Sequence, residues 1–600
     1  PTATLPSDLR VARAPPGEAC LHLLPRPFPR QRFRPEALPF WGRELGDYGR
    51  MPVGLQSRRR QFVCEHRLRA SGPPRPFFSV EEMLMANRNL FQSIKEKLQP
   101  KAVRNEAGGR AYLPSAAERL ALLTATGCLN NTFYADAEAQ LEQALQLCAE
   151  LDAEFIARTA VYSRQQNYLK DLPALLLAVL ANRDVALFAR VFPLICDNGK
   201  MLRNFAQIIR SGSTGRKSFG SKPKQLLQRW LLTASEKQLL NASIGTRPSL
   251  ADLVKMVHPR PTEKWREAWF GWLLGKDYDA EALPPITRDF ERYKKVGGEI
   301  PAVPFQMLTA LELDKDAWSA IARQSSWQQL RQNLNTLERH GVLQDKNMVQ
   351  FVADKLSDAE AIARARVFPY QLLTTAQATG ALPAPIGNAL EEAMEMAVAN
   401  VPALRGRVYL CPDVSGSMQS SVTGYRRGAT SATRCIDVAG LMTAAILRHN
   451  RHAQVLPFDT QVRSVKLDAR QRVMVNAQNL ARINGGGTAC SAPLKRLNQE
   501  RAEVDLIIMI SDNESWADLG RHGETSLQYQ WRRLKERCPR AKLVCIDIQP
   551  YTSVQAKTDV DVLNIGGFSD NVFDLISKFY VQGLDGRFWV DEINRVELPK

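Results

Sequence analysis

Residues 408–418 read Val-Tyr-Leu-Cys-Pro-Asp-Val-Ser-Gly-Ser-Met, and this stretch decides the fold of the last third of the chain. A short apolar run that ends in a turn is typical of a buried strand. The turn after this strand carries Asp413, Ser415 and Ser417 in one loop. Three oxygen-bearing side chains spaced two residues apart can converge on a cation, so the stretch predicts a metal-binding loop.

Two later loops carry matching oxygen side chains. Thr488 ends the turn Asn-Gly-Gly-Gly-Thr, and Asp512 follows an apolar run at residues 504–510. After residue 403, predicted strands alternate with predicted helices, which is typical of a mainly parallel sheet covered by helices on both faces. Because loops after parallel strands gather along one rim of such a sheet, we expect Thr488 and Asp512 to lie beside the first loop.

These five oxygen ligands suit a divalent cation, and Mg²⁺ is the ion that we expect. Mg²⁺ takes oxygen ligands in an octahedron and keeps several waters. Two carboxylates leave the ion able to accept a further acidic side chain or a phosphate, whereas a nuclease usually gathers more carboxylates around two ions. The alternative is that Asp413 only caps a helix and the serines line a turn.

Residues 85–400 show the period of helices almost throughout. Leu141, Ala144, Leu145 and Cys148 form one apolar stripe, and short breaks with Pro, Gly or Asn separate such stripes. Roughly a dozen helices in series favour a stacked array of helix pairs, with the apolar stripes in the core.

One segment of this array, residues 203–229, is strongly basic and contains no acidic residue. Its centre is rich in Gly and Ser, whose amides and hydroxyls can join the cations in binding phosphates, but it lacks the spacing of a P-loop. Several Lys and Arg on a phosphate backbone give strong, salt-sensitive binding, and the alternative is a solvated face. The candidate nucleic-acid-binding residues are Lys170, Arg203, Arg210, Arg216, Lys217, Lys222, Lys224 and Arg229, and Arg164 flanks them.

The composition favours an anionic partner. The chain has 600 residues and a formal net charge of +18, which indicate roughly two to four domains and favour nucleic acid over a generally basic surface. No apolar run of about 18 residues predicts a membrane span. Ten cysteines without a Cys-x-x-Cys pair indicate free thiols, so we expect a protein of the reducing cytoplasm.

The first 84 residues differ from the rest. They hold fourteen Arg, thirteen Pro and no Lys, a composition that predicts a disordered extension. Two Glu codons at residues 81–82 can form a purine-rich sequence of the kind that precedes bacterial start codons, so we expect translation to begin at Met85 and the extension to be upstream DNA read in frame. The alternative is a basic RNA-binding arm.

No motif predicts catalysis, and we expect no enzyme activity. The chain has only seven His and no Gly-x-Ser-x-Gly or His-Glu-x-x-His motif. Glu514 lies beside Asp512 and is a conceivable base, but a supporting or exposed position is the simpler interpretation.

The residues described above resemble the motifs of two known protein modules. Asp413-x-Ser415-x-Ser417 with Thr488 and Asp512 resembles the metal-ion-dependent adhesion site of von Willebrand factor A domains at all five positions. Residues 168–180, 203–230, 327–343 and 363–373 are similar to the TROVE module of the Ro autoantigen family. The two resemblances cover about residues 85–590 in the family's own order, so the chain is identified as a bacterial member of that family.

The resemblance implies a monomeric ring of HEAT-like helical repeats closed by the von Willebrand factor A domain. Family members bind small structured Y RNAs on a basic outer surface and pass single-stranded ends of defective RNAs through the hole. Bacterial members are similar to partners of polynucleotide phosphorylase or of RNA-repair ligases. Two departures are Phe368-Pro369, where the family often has His-Pro, and Pro412, which withholds a backbone donor at the strand end.

We therefore divide the chain into the extension at residues 1–84, a TROVE helical domain at residues 85–400, and a von Willebrand factor A domain with a C-terminal tail at residues 401–600. The favoured function is an RNA-binding ring, a scaffold in noncoding-RNA quality control, degradation or repair. The alternatives are a metal-dependent protein-adhesion module and a Mg²⁺ nuclease.

Overall fold

The computed structural model describes residues 103–600, except for residues 106–107, 127–136, 366, 368, 380–381, 400, 423, 425–432, 519–523 and 569–570. The predicted extension, the start at Met85 and the departure at Phe368 lie outside the described residues. Within them, no helix is long and apolar enough to cross a membrane.

The first part of the described chain is a series of helices, as the periodicity predicts. Several begin at side-chain caps, such as Asp152, Asp184 and Asn198, whose oxygens accept hydrogen bonds from otherwise unpaired amides of the first turn. The helices are α1 (Ala116–Thr126), α2 (Ala137–Glu150), α3 (Ala153–Gln165), α4 (Asp171–Arg183), α5 (Val185–Ile195), α6 (Gly199–Ser211), α7 (Ser221–Thr233), α8 (Glu236–Ser243), α9 (Leu250–Val257), α10 (Lys264–Leu274), α11 (Pro285–Val296), α12 (Phe305–Leu308), α13 (Lys315–Gln324), α14 (Trp327–Gln332), α15 (Leu334–Arg339), α16 (Lys346–Leu356), α17 (Ala359–Ala365), α18 (Pro369–Ala378) and α19 (Ala384–Ala397).

The second part alternates strands and helices, and its five strands form one parallel sheet in the order β2-β1-β3-β4-β5. The prediction of a helical array followed by a parallel α/β domain is confirmed. The elements are β1 (Val408–Pro412), α20 (Cys435–His449), β2 (Gln454–Val455), α21 (Val473–Ala481), α22 (Ala492–Gln499), β3 (Leu506–Ser511), α23 (Ser526–Arg537), β4 (Lys542–Asp547), β5 (Val562–Gly566), α24 (Asn571–Ile576) and α25 (Phe588–Asn594).

The sheet is buried on both faces because side chains alternate along each strand. Leu410 and Ile508 belong to the large core that continues into the helical series, whereas Tyr409 and Ile507 belong to a separate core on the other face. The central strands are therefore apolar without interruption, as expected for a parallel sheet covered on both sides.

The edge strand β2 is short. It spans only Gln454–Val455, although the amides of Leu456 and Phe458 still donate to the Leu410 and Pro412 carbonyls of β1 at 2.8 and 3.0 Å. Phe458 also forms an isolated parallel bridge with Asp413. The segment predicted as a tail contains α25, whose Phe588, Trp589 and Ile593 are buried.

Both ends of the helical series contact the α/β domain. On α3, the Tyr162 hydroxyl oxygen accepts hydrogen bonds from Asn571 Nδ2 at 2.8 Å and Trp589 Nε1 at 3.1 Å. At the other end, Arg448 Nε of α20 lies 3.0 Å from Glu395 Oε2 of α19. The helices therefore lead away from the α/β domain and return to it, which is the connectivity that a closed ring requires.

Candidate functional site

Two of the predicted metal ligands lie where the order of the strands in the sheet reverses. β1 pairs with β2 on one side and with β3 on the other, and Asp413 and Asp512 directly follow β1 and β3. Ligands of open α/β sheets bind at such a switch point, outside the carboxyl ends of the strands. The topology thus brings these two carboxylates together from positions far apart in the chain.

The first loop is buried and internally bonded. Asp413 and Ser415 are fully buried and Ser417 is nearly so. Asp413 Oδ1 accepts a hydrogen bond from the Ser415 amide at 2.8 Å, and its Oδ2 accepts one from Ser511 Oγ at 2.6 Å. The hydroxyl oxygens of Ser415 and Ser417 lie 3.3 Å apart. The expected convergence of the three oxygen side chains is present.

The glycine-rich turn before Thr488 is joined to the first loop through its backbone. The Gly416 amide donates to the Gly486 carbonyl at 2.8 Å, and the Gly486 amide donates to Asp459 Oδ2 at 3.1 Å. Thr488 is buried. Gly485 lies so close to the first loop that an added Cβ would sit 2.1 Å from the Val414 carbonyl oxygen. Only glycine fits this approach without a shift of the backbone.

Substitutions at two neighbouring glycines test this close contact between the loops. Gly485→Ala should lower the free energy of unfolding by about 1–3 kcal/mol, because the new methyl overlaps a backbone carbonyl. Gly486→Ala is the matched control, because an added Cβ there meets nothing within 4 Å. Urea titrations of both variants make the comparison, and equal stability of the two would contradict the close packing of the loops.

Burial raises the pKa values of the two carboxylates, Asp413 and Asp512. Burial, together with the neighbouring Asp512 carboxylate, raises the pKa of Asp413 to about 7. Burial also raises the pKa of Asp512, although a hydrogen bond from Ser417 opposes the rise. A divalent cation between the two would offset both costs. Among the described residues no group of three or more His, Cys, Asp or Glu side chains could hold a metal, so an ion here needs the hydroxyl ligands too.

Several residues that no sequence motif predicts also support these loops. Ser511 bonds to Asp413, and buried Asp459 pairs with Arg463, with Nη2 of the arginine 2.5 Å from Oδ2. Asp459 follows the predicted β2 region as Asp413 follows β1, and this parallel was an available signal. Glu514 is fully buried, so of the two predicted positions the exposed one is wrong and the supporting one remains. Its amide donates to Asp512 Oδ1 at 3.4 Å.

The basic segment forms two helices joined by a glycine-rich turn. α6 ends at Gly212, whose φ of 85° is left-handed, and Gly220 with a φ of 68° precedes α7. Gly220 has no side chain, so the first amides of α7 receive no side-chain cap. Lys222 and Lys224 lie in this first turn. The amides and both lysines thus present positive charge at one helix end.

The seven cations of residues 203–229 form no ion pair with any described residue. Four of them are accessible to an anion in solution: Arg210, Lys217 and Arg229 are exposed, and Lys222 is half-buried. Their charges are therefore not neutralised by neighbouring acidic groups in the described part of the chain.

Three of the seven cations also have structural contacts, and one of these is the hydrogen bond from Arg210 Nη1 to Met256 Sδ at 2.8 Å. Arg216 Nη1 donates to the carbonyls of Ala181 and Phe219, each at 3.3 Å, and this holds the turn against α4. Arg203 is half-buried, and its guanidinium lies against Gly245. Burial lowers the pKa of Arg203. Substituting Arg203 or Arg216 would disturb the packing as well as the surface charge.

Lys170 and Arg164 have different surroundings beside this surface. Lys170 is exposed just before α4, whose first residue Asp171 accepts a hydrogen bond from Asn204 Nδ2 of α6 at 3.3 Å. Lys170 is thus beside the basic helix pair. Arg164, in contrast, forms a two-oxygen pair with Asp197, with Nη2 at 2.7 and 2.9 Å from its oxygens. Its charge is therefore paired, and its Nη1 donates to the Leu169 carbonyl at 3.2 Å, directly before Lys170.

The chain is similar in sequence to known proteins. Residues 407–580 match the family model described as the Ro60 vWA domain. The chain is 27% identical over 540 residues to the RNA-binding protein RO60 of Deinococcus radiodurans, covering 83% of this chain and 99% of that protein. It is 26% identical over 259 residues to the RNA-binding protein RO60 of Caenorhabditis elegans, which is 41% of this chain and 39% of that protein.

A solved structure has the same fold. The crystal structure of the Deinococcus radiodurans RO (RSR) protein superposes with a TM-score of 0.55 at 22% sequence identity, and the match covers 78% of this chain and all of that one. The similarity therefore extends through the helical series and the α/β domain together.

Proposed function

The chain is a member of the Ro family, and we propose that it binds small structured, Y-like noncoding RNA and single-stranded RNA ends without cleaving them. The observation that carries this proposal is the basic helix pair α6–α7, whose cations are not paired with acidic groups in the described part of the chain. A surface of this kind in a relative of RNA-binding proteins fits a phosphate backbone.

The chemistry of α6–α7 suits a structured RNA. Lys217, Lys222 and Lys224 supply mobile charges, and the first amides of α7 supply fixed donors beside them. Phosphates accept from both kinds of donor without regard to base identity. Binding should therefore follow the shape and charge of the RNA, as expected for duplex stems.

The metal loops support a recognition role. Asp413, Asp512, Ser415, Ser417 and Thr488 would hold Mg²⁺, and the bound ion would supply an open position for a phosphate or a carboxylate. Catalysis is not proposed, because two carboxylates are fewer than a two-ion nuclease usually gathers. As a single-chain ring in the cytoplasm, the protein would act in RNA quality control, degradation or repair, with polynucleotide phosphorylase or an RNA-repair ligase as the partner.

The RNA that accompanies the purified chain tests this function. The protein is expressed in a bacterium, purified at low salt, and its nucleic acid is extracted, sized on a denaturing gel and sequenced. We expect small RNAs with base-paired stems, because the affinity of a backbone-binding surface is highest at low salt. A matched purification of Lys217→Glu/Lys222→Glu/Lys224→Glu should lose them. Protein free of RNA, or the same RNA on the variant, would contradict the proposal.

A further inference from the structure

A second charged surface lies on the α/β domain. A groove of about 690 Å³ runs between α22 and α23 and is lined only by residues of that domain. It begins at the metal loops, because Ala489 and Ala517 line it and the Ala517 amide donates to the Thr488 carbonyl at 3.0 Å. An extended ligand that reaches the metal loops can therefore continue into this groove.

The groove has an excess of positive charge. Lys495 and Arg533 are exposed on opposite walls and form no ion pair with a described residue. Arg496 pairs with Glu500. The acidic lining residue Asp518 is already bonded, since Oδ1 accepts from Ser491 Oγ at 2.5 Å and Oδ2 accepts from the Ser491 amide and Ser515 Oγ. These neutral donors leave the charge of Asp518 in place, but three lining cations against one lining carboxylate keep the groove positive, with Lys495 and Arg533 available to a ligand.

One aromatic side chain lines the groove beside its cations. Tyr529 lines the groove, and the guanidinium carbons of Arg532 and Arg533 are 5.8 and 5.9 Å from its ring centroid. At the metal end, Trp516 is 52% exposed. Rings that stack bases, set among cations that contact phosphates, are the combination that binds single-stranded nucleic acid.

The groove walls are joined and do not need a ligand to form. Asn498 Nδ2 of α22 donates to both the backbone and the side-chain oxygens of Gln530 on α23, each at 2.9 Å. The lining consists mainly of cations, amides, hydroxyls and one ring, with Val462 and three alanines as its aliphatic members. A peptide would find few apolar anchors here, whereas a sugar–phosphate chain needs none.

We infer that this groove binds single-stranded RNA that passes over the metal loops, with phosphates on Lys495 and Arg533 and a base on Tyr529. The inference rests on the proposed RNA binding but concerns a surface separate from α6–α7. It assigns two strands of one RNA to two places: a stem to the helical series and a single-stranded tail to the α/β domain.

Two RNAs and two double variants test it. One RNA is a blunt stem, and the other is the same stem with a single-stranded oligouridine tail. Lys495→Glu/Arg533→Glu should weaken binding of the tailed RNA by about tenfold and lower its salt slope by about 1.4, since each phosphate contact on a single strand contributes about 0.7. Binding of the blunt stem should not change. Lys495→Gln/Arg533→Gln, which alters the fold least, should show a smaller loss in the same direction.

Arg451→Glu/Arg540→Glu is the control of equal charge. Both residues are exposed and precede β2 and β4, so they lie at the opposite rim of the sheet. The groove assignment would be overturned by an equal loss in this control or by no loss in the groove variants. Equal binding of blunt and tailed RNA by the unchanged chain would also overturn it. So would displacement of the tail by polyglutamate but not by oligouridine. If the unchanged chain binds neither RNA, the proposed function fails and the groove assignment fails with it.

Discussion

Replacing Lys217, Lys222 and Lys224 with glutamate should weaken binding of a structured RNA by at least about a hundredfold at physiological salt. Each lysine stops releasing a counterion from the RNA, so the slope of log affinity against log salt should fall by about 2.7. Charge reversal also places three carboxylates beside the free amides of α7, and these repel phosphate. Filter binding across a salt series measures the affinity and the slope together.

The control for this variant reverses three other lysines of the helical series. Lys276, Lys315 and Lys346 are exposed and form no ion pair with a described residue, so their change to glutamate alters the net charge equally. This variant should lose no more than the small share due to net charge. An equal loss in the two triple variants would mean that RNA senses only the overall charge of +18, and the assignment of the site to α6–α7 would be wrong.

Magnesium should stabilise the chain, and a single ligand substitution should abolish the effect. At a Mg²⁺ concentration of 100 times its dissociation constant, the free energy of unfolding should rise by about 2.7 kcal/mol relative to a chelated sample. Burial, together with the repulsion from Asp512, raises the pKa of Asp413 to about 7, and the ion would offset both effects. Urea titrations with Mg²⁺ or with chelator give the difference.

The Asp512→Asn variant shows whether the stabilisation by Mg²⁺ depends on this ligand. In chelator it should be at least as stable as the unchanged chain, because it removes one of two buried, adjacent charges. In Mg²⁺ it should gain nothing. Asp591→Asn changes an exposed carboxylate on α25 and should keep the full response. No response of the unchanged chain to Mg²⁺, or the same response in Asp512→Asn, would exclude a magnesium site at these loops.

The sheet and its metal loops could be predicted because their signals are local. Apolar runs mark the strands, and parallel strands necessarily place the residues after β1 and β3 at one rim, so Asp413 and Asp512 meet whatever the rest of the chain does. Asp459 was missed although it also follows a strand region, because no motif like that of residues 413–417 accompanies it.

Contacts between distant residues could not be predicted. Nothing near Tyr162 in the sequence indicates that its hydroxyl accepts hydrogen bonds from Asn571 and Trp589, more than four hundred residues away. The same limit applies within the basic segment. Arg216 and Lys217 are adjacent and of equal charge, yet only the left-handed turn brings Arg216 to two carbonyls and leaves Lys217 exposed.

Binding of a radiolabelled stem with a single-stranded tail to the unchanged chain, in Mg²⁺ and over a range of salt, tests the central claim most directly. The bound RNA is recovered after each incubation and sized on a denaturing gel. We predict tight binding that weakens steeply with salt, and RNA that is recovered at full length. Absence of binding at low salt would contradict an RNA-binding function, and RNA shortened by the unchanged chain but not by Asp512→Asn would identify a nuclease.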